Sequence, residues 1–93
     1  DDGSLDRTLS ETDNLKPEIP ELKILSYGKN MGKGYAVRKG VLESAGAVVL
    51  FMDADLSVEP GEWTKFKGAI SDGADIAVGS RRHSDSKILR RQP

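Results

Sequence analysis

The sequence predicts an α/β fold built on a mostly parallel sheet, and three observations carry that expectation. Short apolar segments alternate with amphipathic ones along the whole 93 residues. Residues 47–52 are apolar at every position with no polar alternation, the mark of a strand covered on both faces. Polar clusters follow the apolar segments, at what would be the carboxyl ends of strands, where open α/β sheets bind their ligands.

Each element has its own reason. Ser4 is suited to cap a helix, with Asp6 in its first turn where a carboxylate favours the positive end of the helix dipole. Leu5, Leu9 and Leu15 give that helix a weak apolar stripe, and Pro17 and Pro20 confine it to residues before them. Residues 22–26 read as a short strand. Residues 27–34, with Gly28, Asn30, Gly32 and Gly34, form a loop that feeds a helix over 34–45. Val37, Val41 and Ala45 mark its buried face, and Gly46 stops it. The strand at 47–52 then ends on Asp53. Pro60 fits the first turn of a helix running to about Ile70, with Trp63, Phe66, Lys67 and Ile70 along one side. Trp63 and Phe66 are expected to pack that helix against the sheet. Asp72-Gly73 turns the chain into a strand at 74–78, and residues 84–91 could open a further helix.

Composition excludes several functions. Fourteen basic against fifteen acidic side chains leave a formal net charge of −1, so the chain is no general polyanion binder and no nucleic acid is expected as a partner. With zero cysteines there is neither a disulfide framework nor a thiolate zinc site. The longest non-polar run, residues 45–52, is eight residues, against the roughly 20 that a membrane-spanning helix needs.

Four clusters hold the chemistry. Asp53 and Asp55 are separated by one residue directly after a strand, and two anions held so close repel unless a cation joins them. A hard divalent ion, Mg²⁺ or Mn²⁺, resolves that repulsion, typically with substrate phosphates completing its coordination. Solvated acids in a turn are the plainer reading of the same pair. The sequence Asn30-Met31-Gly32-Lys33-Gly34 suits a phosphate or ribose: glycines allow close backbone approach, Lys33 supplies charge, and a helix N-terminus follows. It is neither a P-loop nor a G-x-G-x-x-G fingerprint, and a glycine-rich turn entering a helix would look the same. Arg38 lies one turn further on and points either to the site or to water. Gly79-Ser80-Arg81-Arg82 with Arg90-Arg91 concentrates arginines, whose planar forks suit phosphate oxygens, although a solvated charged face is equally ordinary. The remaining cluster is Asp1-Asp2-Gly3-Ser4. His83, the only histidine, reads as an exposed loop residue rather than a base.

In order, these segments resemble the family 2 glycosyltransferases of the GT-A fold, most closely the polyprenyl-phosphate (dolichyl-phosphate type) glucosyl- and mannosyltransferases. The resemblance rests on Asp1-Asp2-Gly3-Ser4-Leu5-Asp6-Arg7-Thr8 and on residues 30–40. It continues through Phe51-Met52-Asp53-Ala54-Asp55-Leu56-Ser57 and residues 75–81, and ends with Arg91-Gln92-Pro93. It implies a Rossmann-like, mostly parallel sheet with helices on both faces. It also implies that residues 1–93 are an internal fragment of a single catalytic domain, lacking the first strands and the C-terminal half. The missing strands would lie between the 22–26 and 47–52 strands, so the chain alone is expected to be marginally stable and inactive, or to pair its strands unusually.

The resemblance further assigns roles. Asp1 and Asp2 would contact the base and ribose of a nucleotide-sugar donor, and Asn30, Lys33 and Arg38 would line the nucleotide side of the cleft. Asp53-Ala54-Asp55 would be the family's D-x-D, with Asp55 a ligand of Mg²⁺ or Mn²⁺ and Asp53 near ribose or metal. Arg81 and Arg91 would bind the phosphate of a lipid-phosphate acceptor. The reaction would be inverting hexose transfer, with UDP-glucose the favoured donor and GDP-mannose the runner-up, on the cytoplasmic side of a membrane that other parts of the protein contact. Three other readings remain: a family 2 transferase with a saccharide acceptor, a non-catalytic nucleotide-sugar-binding remnant, and a phosphohydrolase of the haloacid-dehalogenase type. The last also places D-x-D after an apolar strand, and trapping a fluoroberyllate-aspartate at Asp53 would single it out.

Overall fold

The computed structural model describes residues 1–86. Within them lie three α-helices and one short 3₁₀ turn: α1 (Thr8–Asp13), α2 (Lys33–Glu43), the 3₁₀ turn Pro60–Glu62, and α3 (Trp63–Ser71). The chain divides into two units, Asp1–Phe51 and Met52–Pro93.

In the first unit, α1 begins later than Ser4 would have it. The residue at its cap position is Arg7, and the Asp6 carboxylate accepts from the Thr8 N–H at 2.9 Å and from the Thr8 hydroxyl at 2.5 Å. Asp6 thus satisfies a first-turn donor while Ser4 donates its own N–H to Asp1. Single turns continue from Asn14 to Leu22, through backbone bonds such as Ile19 N to Leu15 O at 2.9 Å, so the prolines end the helix as their chemistry requires. Helix α2 starts where Gly32, at φ 92°, lets the backbone turn, and its first bond runs from Ala36 N to Gly32 O at 3.1 Å. It closes at Ser44, whose extended backbone (ψ 149°) and hydroxyl bond to the Val41 carbonyl end it two residues before Gly46.

In the second unit, Pro60 opens the 3₁₀ turn that leads into α3, as expected of a proline at a first helical position. The end of α3 is a Schellman motif. Gly73 sits at φ 104°, its N–H donating to the Ile70 carbonyl, and the Ala74 N–H donates to the Ala69 carbonyl, both at 3.1 Å. The half-buried Phe66 ring lies so close to Gly79 that a Cβ there would stand 3.1 Å from Cζ. Phe66 therefore packs α3 on the residue after 74–78, while the sheet it was expected to cover is not formed among the described residues.

The sheet is the correction. Residues 22–26, 47–52 and 74–78 were expected as strands, yet no strand occurs among the described residues. A strand exists only through its ladder of backbone hydrogen bonds, and no such ladder forms at these segments among the described residues. The apolar face predicted on α2 is affected in the same way. Val37 is half-buried, but Val41 and Ala45 are exposed, and no hydrophobic side chain among the described residues is fully buried. The helix expected from 84 onward falls mostly outside the described residues, and Ser84 and Asp85 themselves lie in a turn.

Candidate functional site

Two of the four clusters meet in the first unit. The Asp2 carboxylate accepts three hydrogen bonds from 25 to 30 residues away: Tyr27 Oη at 2.6 Å, the Met31 N–H at 2.7 Å and the Gly32 N–H at 2.9 Å. Beside it the Asp1 main-chain nitrogen donates to the Leu25 carbonyl at 2.7 Å, and the Ser26 hydroxyl donates to the Asp1 carboxylate at 3.3 Å. The Asp1 carboxylate also accepts the Ser4 N–H, closing the turn 1–4. Gly3, at φ 78°, lies against the Lys29–Asn30 backbone, where a Cβ would meet Asn30 N at 2.7 Å and the Lys29 carbonyl carbon at 2.8 Å. No other residue fits there without moving the loop.

These contacts leave their mark on ionisation. The Tyr27 hydrogen bond, followed by that from Met31, holds the Asp2 carboxyl below the usual aspartate range. Tyr27 is half-buried, and desolvation, reinforced by its bond to Asp2, pushes its hydroxyl up to about 12. The Tyr27 ring meets Tyr35 edge-on at 5.1 Å between centroids, and the Lys39 ammonium stands 5.6 Å from the Tyr27 ring centre. Lys33, the first residue of α2, sits 5.6 Å from the centre of the Phe51 ring. Asn30 is exposed on the loop held by Asp2, and Arg38 is exposed on α2.

The second unit carries the acidic pair and Arg81. Asp53 and Asp55 are both exposed, in a turn where Asp55 Oδ1 accepts the Ser57 N–H at 2.9 Å. Leu56 between them and Ser57 has φ 56°, a left-handed conformation that costs a non-glycine residue about 1 kcal/mol. Among the described residues no group of three or more histidine, cysteine, aspartate or glutamate side chains gathers into a cation site. Two carboxylates one residue apart are a donor set that fits Mg²⁺ or Mn²⁺ when water and phosphate oxygens complete the shell. Arg81 is exposed in a turn organised by Ser80, whose hydroxyl accepts the Arg82 N–H at 3.2 Å and whose carbonyl accepts the Ser86 hydroxyl at 2.6 Å. His83 is exposed, as expected, with Nδ1 3.8 Å from Asp85. Arg91 lies outside the described residues.

The roles that sequence reasoning missed are those of Tyr27, Gly3 and Phe51. A tyrosine directly before the Gly28 turn, and a glycine directly after two aspartates, were the signals available for the first two. Phe51 was visible only as one more apolar residue of its run.

The chain matches glycosyl transferase family 2 over residues 1–93, and it belongs to that family. It is 39% identical over 88 residues to a dolichol-phosphate mannosyltransferase of Pyrococcus furiosus, covering 95% of this chain and 25% of that protein. It is 37% identical over 87 residues to a dolichyl-phosphate beta-glucosyltransferase of Trichomonas vaginalis, covering 88% of this chain and 26% of that protein. A dolichyl-phosphate beta-glucosyltransferase of Drosophila melanogaster is 34% identical over 96 residues, covering 95% of this chain and 29% of that protein. The chain thus spans about a quarter of the length of the curated relatives it matches. No solved structure matches it significantly. Among the described residues no helix is long and apolar enough to cross a membrane.

Proposed function

We propose that the full-length protein transfers a hexose, with inversion, from a nucleoside-diphospho-sugar to a polyprenyl or dolichyl phosphate. The observation that carries this reading is the family match over residues 1–93, together with the dolichyl-phosphate transferases among its relatives. In it, the Asp1-Asp2 segment and the loop it holds, with Asn30, Lys33 and Arg38, form the nucleotide side of the cleft. Asp53 and Asp55 hold Mg²⁺ or Mn²⁺, and Arg81 and Arg91 hold the acceptor phosphate. The segments 22–26, 47–52 and 74–78 are strands of the complete domain, whose neighbours belong to the rest of the protein. The bond from Asp1 N to the Leu25 carbonyl supports pairing along that line.

The chemistry suits these residues. An oxygen of the acceptor phosphate, already anionic at neutral pH, attacks the anomeric carbon while the bond to the donor diphosphate breaks. No strong general base is needed, so His83, exposed in the same turn as Arg81, is not required as one. A divalent cation, when bound, neutralises the negative charge that develops on the leaving diphosphate. The arginines orient the attacking phosphate opposite that leaving group. Glucose is favoured because the combination of Asn30-Met31-Gly32-Lys33-Gly34 with Gly79-Ser80-Arg81 and Arg91-Gln92-Pro93 resembles the glucosyl branch, and GDP-mannose is the runner-up donor. The membrane face at which this occurs is the cytoplasmic one in this reading.

The test is a titration of UDP-glucose and GDP-mannose against the full-length protein, with and without Mn²⁺, followed by transfer to a polyprenyl phosphate. Tight, Mn²⁺-dependent binding of UDP-glucose and a glucosyl-phospholipid product are expected. Metal-independent binding that survives Asp55→Ala would remove the D-x-D assignment.

A further inference from the structure

The turn at 80–86 holds two arginines and three serines, and the transferase reading uses only Arg81 among them. All seven residues are exposed. The three hydroxyls differ in how they are held. Ser86 donates to the Ser80 carbonyl at 2.6 Å, a firm bond across the turn, and the Ser80 hydroxyl accepts the Arg82 N–H at 3.2 Å. Ser84 donates to the Asp85 carboxylate at 3.4 Å, beyond the range of about 2.5–3.0 Å for a well-formed hydroxyl bond. Its hydroxyl is therefore the one another molecule can engage at least cost. The backbone of the turn is closed by bonds from the His83 N–H to the Ser80 carbonyl at 3.5 Å and from the Ser86 N–H to the His83 carbonyl at 3.0 Å. Little has to be given up for this segment to extend into another protein's cleft. Arg81 and Arg82 stand three and two residues before Ser84. An acidic pocket that grips both guanidinium groups by charge-assisted bonds sets the register of the bound segment, and that register presents Ser84.

We propose that Ser84 is a phosphorylation site of an arginine-directed serine/threonine kinase, and that its phosphate competes with the acceptor phosphate for Arg81. The step is a phosphoryl transfer from ATP. Ser84 Oγ bonds to the γ-phosphorus, the bond from that phosphorus to the β,γ-bridging oxygen breaks, and ADP leaves with the electron pair. The hydroxyl proton passes to the carboxylate base of the kinase. A phosphorylated serine carries a charge of about −1.5 to −2 at neutral pH. The two arginines of the turn outnumber its one aspartate, so the modification reverses the sign of the local charge. An incoming lipid phosphate then meets repulsion in place of attraction, and Arg81 has a phosphate within its own turn. The competition rests on the transferase reading of Arg81; the modification rests on the turn alone.

The experiment treats the full-length protein with ATP, Mg²⁺ and a purified kinase that selects arginine two and three residues before its serine. Mass spectrometry then locates the phosphate. Incorporation at Ser84 is expected, absent in Ser84→Ala and slowed by about tenfold in Arg82→Ala, which removes one of the two anchors. Phosphorylation should raise the KM for a polyprenyl phosphate by about tenfold, with the dissociation constant of the nucleotide-sugar changed far less. Phosphatase treatment should restore the original KM, and Ser84→Ala should transfer normally before and after exposure to the kinase.

Phosphate on Ser80 or Ser86 in place of Ser84, or none on the folded protein, would overturn the site. An unchanged KM for the acceptor in the phosphorylated protein would overturn the competition. A weakened donor affinity with the acceptor KM unaltered would contradict it as well, since the phosphate would then act away from Arg81. Absence of transfer by the unmodified protein would defeat the transferase reading and the competition with it, while incorporation at Ser84 would still bear out the site.

Discussion

Asp2 and Asp55 are both aspartates at a turn, and the backbone N–H groups they accept lie at very different distances along the chain. Asp2 gathers partners from 25 to 30 residues away, so its carboxylate fixes one chain segment on another. Asp55 accepts the N–H of Ser57, two residues on, in a turn at the surface where Leu56 holds a left-handed backbone. A carboxylate that takes donors from a distant segment ties two parts of the chain together, whereas the turn around Asp55 keeps its carboxylate at the surface. In the proposed reading the first lies on the nucleotide side of the cleft and the second meets the cation.

The largest effect should come from the second of these. In the full-length protein, Asp55→Ala is expected to lower hexose transfer by on the order of 10²–10³-fold and to abolish its response to Mn²⁺, with the melting temperature unchanged. Steady-state rates across a Mn²⁺ series check this, and a variant with normal metal dependence would erase the contrast with Asp2. Next is Gly3→Ala. The added methyl meets backbone rather than a movable side chain and is also disfavoured at φ 78°, so a loss of about 1–3 kcal/mol is expected in denaturant unfolding. A neutral outcome would show that residues 1–3 and 29–30 separate easily.

The pH dependence is a finer probe. The carboxyl of Asp2 titrates below its unfolded value, so its bonds contribute fully above the ordinary aspartate range. That contribution fades as pH falls through the lowered value. Tyr27 is shifted the other way. Its contribution is fully present below pH 10, the ordinary tyrosine value, and is lost as pH rises through about 12. The Lys39 ammonium stands over the Tyr27 ring, and the Asp1 carboxylate is held by Ser4 and Ser26 beside Asp2. Amide exchange at Met31 and Gly32, corrected for intrinsic rates, should lose protection only at the acid end and at the far alkaline end. The smallest effect belongs to Lys23→Ala. Its ion pair with Glu43, at 2.9 Å, joins two exposed side chains, and the melting temperature should move by less than about 2 °C.

Helices were legible in the sequence because their signals are local. Pro60 marked the start of the 3₁₀ turn and α3, Gly73 marked its end, and the glycine-rich loop delivered the chain into α2 within one residue of the expected start. The start of α1 was misplaced because Asp6 competes with Ser4 for the first turn and reaches the Thr8 N–H. Strands at 22–26, 47–52 and 74–78 could be read as apolar segments, but no local signal states whether a neighbouring strand is at hand. Among the described residues none is. The same distinction runs through the site. Asp1, Asp2, Asn30 and Lys33 were singled out by residue type, while their convergence is a long-range fact that only the hydrogen bonds to Met31 and Gly32 reveal. Tyr27 escaped notice because an isolated tyrosine carries no spacing, although its hydroxyl makes the shortest of the three bonds to Asp2.

The product of one reaction tests the proposed activity most directly. The full-length protein would be incubated with α-linked UDP-glucose, a polyprenyl phosphate and Mn²⁺, and the anomeric configuration of the isolated lipid read by NMR. A β-linked glucosyl phosphate, formed only when the cation is present and lost in Asp55→Ala, is the predicted result. No transfer to the phosphate, or transfer with retained configuration that ignores both the cation and Asp55, would contradict it.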